Sequence, residues 1–336
     1  MKNGKVAVAL LTYNGKQYLP DLFASLEKTQ YEKSWECIVV DNASTDNPTF
    51  PPLSIRGGEE GLLTRGLSVI RNANNLGFAA GNNVGMRKAI ADGAEYVVLL
   101  NQDTVVESDW LSELVRAAES DATIGAVQAR LMLHGEKDVV NSLGNEIHFL
   151  GFGYSGGYGM AYGESDFLPL HARGSERGLY QMHDITYASG AAVLYRAKAL
   201  RDVGLLDESF FMYHEDLDLG WRLWRSGWKS VLAPASVVYH KYEFSRSIKK
   251  YYYMERNRFL VLLENYSLQS LALIFPALVA MELGLFLKAV VSGWGIEKLR
   301  AYAYFLRPVT WRMIAKQRKE KQKIFRRPER ELLQRF

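Results

Sequence analysis

Asp103 stands just beyond Tyr96-Val97-Val98-Leu99-Leu100, an apolar run without alternation that stops at Asn101-Gln102. Such a run predicts a strand buried on both faces, in the middle of a parallel sheet. Ligands of open α/β sheets collect beyond the carboxyl ends of the strands, so a carboxylate here is placed to meet a ligand or a metal. The competing reading makes Asp103 only the cap of a helix beginning near Asp109. A second acidic group, Glu215-Asp216, opens a stretch in which Leu217, Trp221 and Trp224 share one helical face. A helix starting near Asp216 holds both carboxylates at its positive end, where the backbone dipole favours the ionised form. Two capping acids without chemistry are the alternative. His214 precedes this pair, and His240 closes a strand predicted over 230–239. Asp218 and Arg222, four residues apart, read as a structural ion pair.

Several elements must position these groups. A strand over 6–11 ends in Thr12-Tyr13-Asn14-Gly15, an amphipathic helix follows over 18–28, and a second buried strand over 37–40 ends in Asp41-Asn42-Ala43-Ser44-Thr45-Asp46. Residues 48–66, rich in proline and glycine and without a period, read as a surface excursion. In Asn72–Gly85, glycines at 77, 81 and 85 are separated by asparagines, which reads as a loop or as backbone that approaches a ligand closely. The spacing is not that of a dinucleotide fingerprint. A helix over 84–91 then leads to the Tyr96 strand, giving a β-α-β-α-β order and a parallel sheet. Beyond a helix over 110–118 and a strand over 126–133, residues 144–163 are crowded with Gly and Tyr and read as a surface loop or a ligand-facing loop or lid. Small residues over 186–192 leave room for a ligand.

The 336 residues, 48% of them hydrophobic, suffice for one large domain or two moderate ones and exclude a disordered chain. The formal charge of +4 is small, and the basic character is concentrated from Lys298 onward. That points to a surface or membrane role for the tail, not to nucleic-acid binding throughout. Cys37 is the single cysteine, so no intramolecular disulfide forms, and the chain reads as intracellular. The first apolar run is too short for a signal sequence.

Thr12-Tyr13-Asn14, Val39-Val40-Asp41-Asn42 with Asp46, Asn75-Leu76-Gly77-Phe78-Ala79 with Gly81-Asn82-Asn83, and Leu99-Leu100-Asn101-Gln102-Asp103 occur in this order and spacing. Together they resemble the inverting GT-A glycosyltransferases of family 2, and most closely its rhamnosyltransferase branch. The resemblance covers about residues 5–260. It implies a Rossmann-like, mainly parallel sheet flanked by helices, with a nucleotide-binding half over 1–105, an acceptor half over 106–260 and a helical, basic region over 261–336. It also implies transfer of a single sugar, rhamnose from dTDP-rhamnose or else a sugar from a UDP donor, to a glycan or a polyprenyl-diphosphate-linked saccharide. Thr12 and Asn14 would line the nucleotide pocket with Asp46, Asn83 and Asn101. Asp41 would accept the ring N3 hydrogen of the base, and Gly77 would lie against the nucleotide. Asp103 and His240, rather than His214, would hold a divalent cation, Mg²⁺ or Mn²⁺. A hard cation of this kind needs only one or two protein carboxylates beside phosphate oxygens and water. Asp216 would be the general base that takes the acceptor proton, with Glu215 as its neighbour. The usual Asp-x-Asp is Asn101-Gln102-Asp103 here, which leaves one of its two carboxylates.

A non-catalytic nucleotide-sugar- or glycan-binding protein is the rival that this departure raises, and the joint presence of Asp103, Asp216 and His240 argues against it. No Gln-x-x-Arg-Trp follows Asp216, as it does in the processive synthases, so single transfer is expected. A nucleotidyltransferase would need a Gly-rich, basic loop after the first strand, which residues 12–16 do not supply. In the tail, residues 268–292 are long and apolar enough to cross a bilayer, yet basic residues flank both ends. A helical hairpin turning at 293–295 is therefore expected to lie on the cytoplasmic face of the membrane against anionic lipid. A buried helix or a homodimer contact is the alternative.

Overall fold

A computed structural model describes residues 5–51, 54–56, 63–162, 182–242 and 249–333. Strand β1 (Val6–Thr12) is followed by helix α1 (Leu19–Leu26) and β2 (Trp35–Asp41). A short antiparallel pair, β3 (Ser54–Arg56) and β4 (Leu63–Arg65), precedes β5 (Leu67–Arg71). Residues 52–53 and 57–62 of the expected excursion lie outside the described residues. Helix α2 (Gly77–Ala91) then delivers the chain to β6 (Tyr96–Asn101). These strands are parallel in the order β6-β1-β2-β5, with Leu11 opposite Asn101 and Thr12 opposite Asp41. The polar residues that end each strand therefore line one edge of the sheet.

The second half adds β7 (Thr104–Val106), α3 (Trp110–Glu119), β8 (Ile124–Leu133), β9 (Val140–Ser142), the hairpin β10 (Asn145–Ile147) and β11 (Gly153–Ser155), and β12 (His183–Ile185). It continues with β13 (Ala192–Arg196), α4 (Ala197–Val203), α5 (Glu215–Arg225) and β14 (Lys229–His240). β13 runs antiparallel between β6 and β8, and β14 runs parallel to β8, so the sheet is mixed but mainly parallel. Within the predicted 144–163 stretch, residues 144–162 are a hairpin with turns that leaves Tyr154 and Tyr158 exposed. Gly163 lies outside the described residues.

Two expectations need correction. The N-cap position of α3 belongs to Asp109, so Asp103 is no cap and sits in the turn joining β6 to β7. The Gly/Asn segment is a loop only over 72–76, and from Gly77 onward it is the start of α2, seven residues earlier than the helix expected over 84–91. Glycines four apart share one helix face, and here that face lies on the sheet. A Cβ on Gly85 would come 2.9 Å from Ala9 Cβ, and one on Gly81 would come 2.6 Å from Leu11 Cδ1. The glycines bring helix to strand, and the spacing that suggested ligand approach is explained by packing.

Helices α6 (Lys250–Asn265), α7 (Leu268–Val291), α8 (Gly295–Tyr304), α9 (Pro308–Ile324) and α10 (Glu329–Leu333) complete the chain. The turn between α7 and α8 falls where the sequence predicts it. The basic series after Lys298 is not uniformly external, however, because Lys298 and Lys321 are buried in ion clusters. Lys321 reaches from α9 to Asp207, Asp218 and Glu264, and the predicted Asp218–Arg222 pair lies in the same buried cluster at 2.8 Å. Two cations thus face three acids. Burial works against the Asp218 charge, yet Lys321 and Arg222 hold that carboxyl at about 2. Burial pushes Glu264 up to about 8 against the pull of Lys321, so Glu264 keeps the odd proton at neutral pH. The folded chain then retains a proton that the unfolded chain releases above about 4.5, and stability falls as pH rises from there to about 8. Glu264→Gln carries no such proton. Melting temperatures across that window should decline more steeply for the wild type than for the variant, and equal slopes would place the proton elsewhere.

Candidate active site

The antiparallel pairing of β7 with β14 sets His240 opposite Thr104 and so brings the imidazole to Asp103. His240 Nε2 lies 3.3 Å from Asp103 Oδ1, and both side chains are largely buried. On the other side of the ring, Nδ1 is 3.0 Å from Asn141 Oδ1. An amide oxygen only accepts, so Nδ1 donates to it and Nε2 is the nitrogen that faces the carboxylate. Asn141, in β9, was not singled out from sequence. Among the described residues no group of three or more His, Cys, Asp or Glu side chains converges.

Gln102 ties this turn to the first strand. Its Oε1 accepts from Thr12 Oγ1 at 2.7 Å and from Tyr13 N at 2.9 Å, so the buried Thr12 hydroxyl is spent on the protein. A Cβ on Gly15 would collide with that same amide, which accounts for the glycine. The ends of β1 and β2 are joined in turn. Asn14, in a left-handed conformation (φ 48), accepts from Thr45 N at 2.8 Å and donates its own N–H to Ser44 Oγ at 3.1 Å. Asp46 accepts from Lys16 N at 2.8 Å, and Asp41 accepts from Ser44 N at 3.0 Å. Asn42, quoted in the motif but given no role, is the hub of the next loop: it bonds Asn72, Asn75, Leu76 and Gly77.

Two members of the expected nucleotide set are placed otherwise. Asn83 is buried, with its amide used by the carbonyl of Leu206 and by Glu208, and its oxygen accepts from Leu206 N. It anchors α2 to the segment before the acid pair. Gly77 (φ 79) faces Phe211, which a Cβ would approach to 2.5 Å. The amides of Phe78 and Ala79 both donate to the Phe211 carbonyl, so the start of α2 is already capped.

That capping brings α2 to the loop that presents Glu215 and Asp216. Phe211 (φ 64, ψ −59), Tyr213 (φ 66) and His214 (φ 68) all have positive φ without being glycine. Met212 N donates to Phe210 O at 2.7 Å around Phe211, a γ-turn of the rare positive-φ kind. Such conformations cost about 1–3 kcal/mol each and persist only where surroundings over-determine them. Here α6 does so. The buried Asn257 amide donates to the carbonyls of Phe210, Met212 and Tyr213, and Arg256 donates to those of Ser209 and Phe210. Sequence reasoning missed both residues, because nothing in a helical Tyr/Arg-rich stretch marks an inward clamp. Asn257→Ala orphans buried carbonyls at about 1–3 kcal/mol apiece. It should lower the melting temperature and, at a temperature where it is folded, cut turnover more than about tenfold at unchanged donor KM. Wild-type turnover in the folded variant would reduce the clamp to a stability element.

Asp216 and Glu215 diverge. Asp216 Oδ2 accepts from Gly190 N at 3.2 Å and Oδ1 from Leu217 N at 2.8 Å. Burial pushes the carboxyl above its usual range, and these two amides work against that shift. Glu215 is buried, its Oε2 has no hydrogen-bond partner, and burial together with the Asp216 charge pushes it well above the carboxylate range. Glu215 is the neutral member and Asp216 the one able to ionise. Burial, with Arg258 beside it, pushes His214 down to about 3, so that imidazole is neutral. The small-residue loop links the two halves of the site. Ala191 O accepts from Asn101 N at 2.9 Å, while Gly190 N holds Asp216 and Gly190 packs against Phe78.

A family model described as Glycosyl transferase family 2 matches residues 7–204, more than half of the chain. The chain belongs to glycosyl transferase family 2. A second model, Glycosyl transferase family group 2, matches residues 176–314 of this family 2 transferase. N-acetylglucosaminyl-diphospho-decaprenol L-rhamnosyltransferase of Mycobacterium tuberculosis is 26% identical over 245 residues, which cover 70% of this chain and 75% of that protein. Poly-beta-1,6-N-acetyl-D-glucosamine synthase of Staphylococcus aureus is 21% identical over 70% of this transferase and 49% of its own length. Among solved structures, GalNAc-T7 with UDP, GalNAc and Mn²⁺ superposes with a TM-score of 0.57 at 15% identity, over 78% of this chain and 48% of that one. The mannosyltransferase PcManGT from Pyrobaculum calidifontis, with GDP-Man and Mn²⁺, gives 0.51 at 14% identity over 94% and 85%. At these identities the structural likeness establishes the fold, GT-A, which is the fold class the motifs imply.

Proposed function

We propose that this glycosyltransferase moves a single sugar, with inversion and with a divalent metal, to a glycan or a polyprenyl-diphosphate-linked saccharide in cell-surface polysaccharide assembly. The observation that carries the reading is an ionisable Asp216 held by two amides, one of them from Gly190, whose neighbour Ala191 accepts from Asn101 in the strand that leads to Asp103 and its partner His240. Rhamnose from dTDP-rhamnose is the preferred donor, on the motif resemblance and on the activity named for the mycobacterial relative. A UDP-sugar is the alternative.

In this reading the nucleotide sits over the ends of β1 and β2, with Asp41 on the base and Asn14 and Asp46 shaping the turns around it. Thr12 and Gln102 hold the first strand to the Asp103 turn. One imidazole nitrogen and one carboxylate oxygen, facing each other, are a donor set that fits a cation taking its remaining ligands from phosphate oxygens and water. A cation held by Asp103 and His240 would offset the charge of the leaving diphosphate. Asp216 accepts the acceptor hydroxyl proton as that oxygen attacks the anomeric carbon from the face opposite the diphosphate. The new C–O bond forms as the bond to the diphosphate oxygen breaks, and the electron pair leaves with the diphosphate. Glu215, kept neutral, leaves Asp216 as the single negative charge beside the acceptor. A lipid-linked acceptor would place the chain peripherally on the cytoplasmic face of a membrane.

Calorimetric titration with dTDP, UDP and GDP, each with and without Mn²⁺ or Mg²⁺, tests the reading. Metal-dependent binding of dTDP or UDP is expected. No binding of any of them would favour the non-catalytic rival.

A further inference from the structure

Helix α7 has 24 residues and satisfies the length and hydropathy of a membrane span, yet its surroundings argue for another disposition. Every exposed side chain from Ala272 to Leu287 is apolar. Leu273 is 81% and Leu287 67% exposed, with Phe275 and Leu283 on the same open surface. Leu306, Val309 and Trp311, around the start of α9, are exposed as well. A contiguous apolar face of this extent marks a surface that something covers.

The one acid of the helix faces the other way. Glu282 is bonded by Arg258 of α6 and by Lys298 of α8, and Tyr302 donates to it at 2.6 Å. Glu255 completes the cluster by bonding the same two cations. Arg258 and Lys298 are essentially without solvent exposure. Burial pushes Glu282 up, but these cations and the Tyr302 hydroxyl outweigh it and hold the carboxyl below its usual range. α6 is also the helix that clamps the loop before Asp216. For α7 to span a bilayer, the four-charge cluster would have to break, or α6 and the acid pair would have to enter hydrocarbon with it. A helix locked to the protein along its polar side and open along its apolar side has the form of an element that lies in the membrane interface.

We propose that the chain docks on an anionic bilayer through α7, α8 and the first turns of α9, in the plane of the interface and without crossing it. Charge selects lipid over a second copy of the chain. Lys288, Arg307, Arg312 and Lys316 are exposed around the apolar face, and an isologous dimer would set this basic rim against itself. An anionic lipid surface attracts the same rim. This deepens the peripheral placement given above, and vesicle binding needs no sugar chemistry, so the two fail separately.

The test uses the full-length chain and sedimentation with vesicles of neutral phosphatidylcholine or of phosphatidylcholine enriched in phosphatidylglycerol. Anionic vesicles should bind about tenfold tighter or more, and raised salt should erase the difference. Leu283→Glu with Leu287→Glu, both exposed positions, should abolish binding while leaving the melting temperature and nucleotide titration unchanged. Single cysteines placed at Leu268 and Ser292 should both react with an impermeant maleimide added outside the vesicles. Labelling at one end only would mean a span and overturn the proposal. So would vesicle binding that ignores lipid charge, or a dimer that the double variant splits in a chain that binds no vesicles.

Discussion

Asp216→Asn should fold and bind nucleotide as the wild type does, and turn over about 10²–10⁴ times more slowly. The amide keeps an oxygen to accept from Gly190 N or Leu217 N, so the loop geometry survives, but the group can no longer take a proton. Glu215→Gln is the control. Its carboxyl is already held neutral by burial and by the Asp216 charge, so an amide there copies the state present and should change turnover by less than about tenfold. The pH profile gives an independent reading. Because burial raises Asp216, the acid limb of kcat should lie above the ordinary aspartate range, with activity growing as pH rises through it and the carboxyl ionises. A variant with wild-type turnover, or a larger loss for Glu215→Gln than for Asp216→Asn, would overturn the assignment of the base.

Asp103→Ala should remove the metal-dependent part of nucleoside-diphosphate binding. Positions that only support a ligand typically cost 10–100-fold when altered, so loss of a ligand itself should cost about 100-fold or more. Titration with the nucleoside diphosphate in the presence of Mn²⁺ should show that loss, whereas the nucleoside monophosphate, which has no diphosphate to bridge, should bind wild type and variant alike. His240→Ala should behave in the same way, and Asn141→Leu should show a smaller loss because it only fixes the ring and its tautomer through Nδ1. Equal diphosphate affinity with and without Asp103 would separate this pair from the metal altogether.

Where strands are apolar on both faces, the sequence was a good guide. β1, β2 and β6 lie where unbroken apolar runs require them, and Asp103, Asp41 and Asn14 stand at their carboxyl ends because strand ends are written in the change from apolar to polar residues. The pairing of His240 with Asp103 was legible only as a resemblance, since what brings them together is the antiparallel return of β7 on β14, a long-range pairing that no local pattern carries. The Gly/Asn segment misled for a physical reason. Glycine at every fourth position serves close helix–strand packing as readily as close ligand approach, and only the Ala9 and Leu11 neighbours distinguish the two. Gln102, Asn141 and Asn257 escaped because a buried amide has no sequence signature; its role is defined by which carbonyls and side chains the fold brings to it.

Arg256, Asn257 and Arg258 are consecutive on α6, and between them they grip two different elements. The first two hold the loop that sets Asp216, and the third holds Glu282 on the helix with the open apolar face. One rigid rod therefore holds both the loop before the carboxylate proposed as the base and the surface proposed to meet lipid, and the height of Asp216 above a docked bilayer becomes a fixed dimension of the molecule. A lipid-linked glycan would be measured as well as recognised. A hydroxyl one sugar too near the membrane or too far from it would fall out of reach of Asp216, whatever its chemistry.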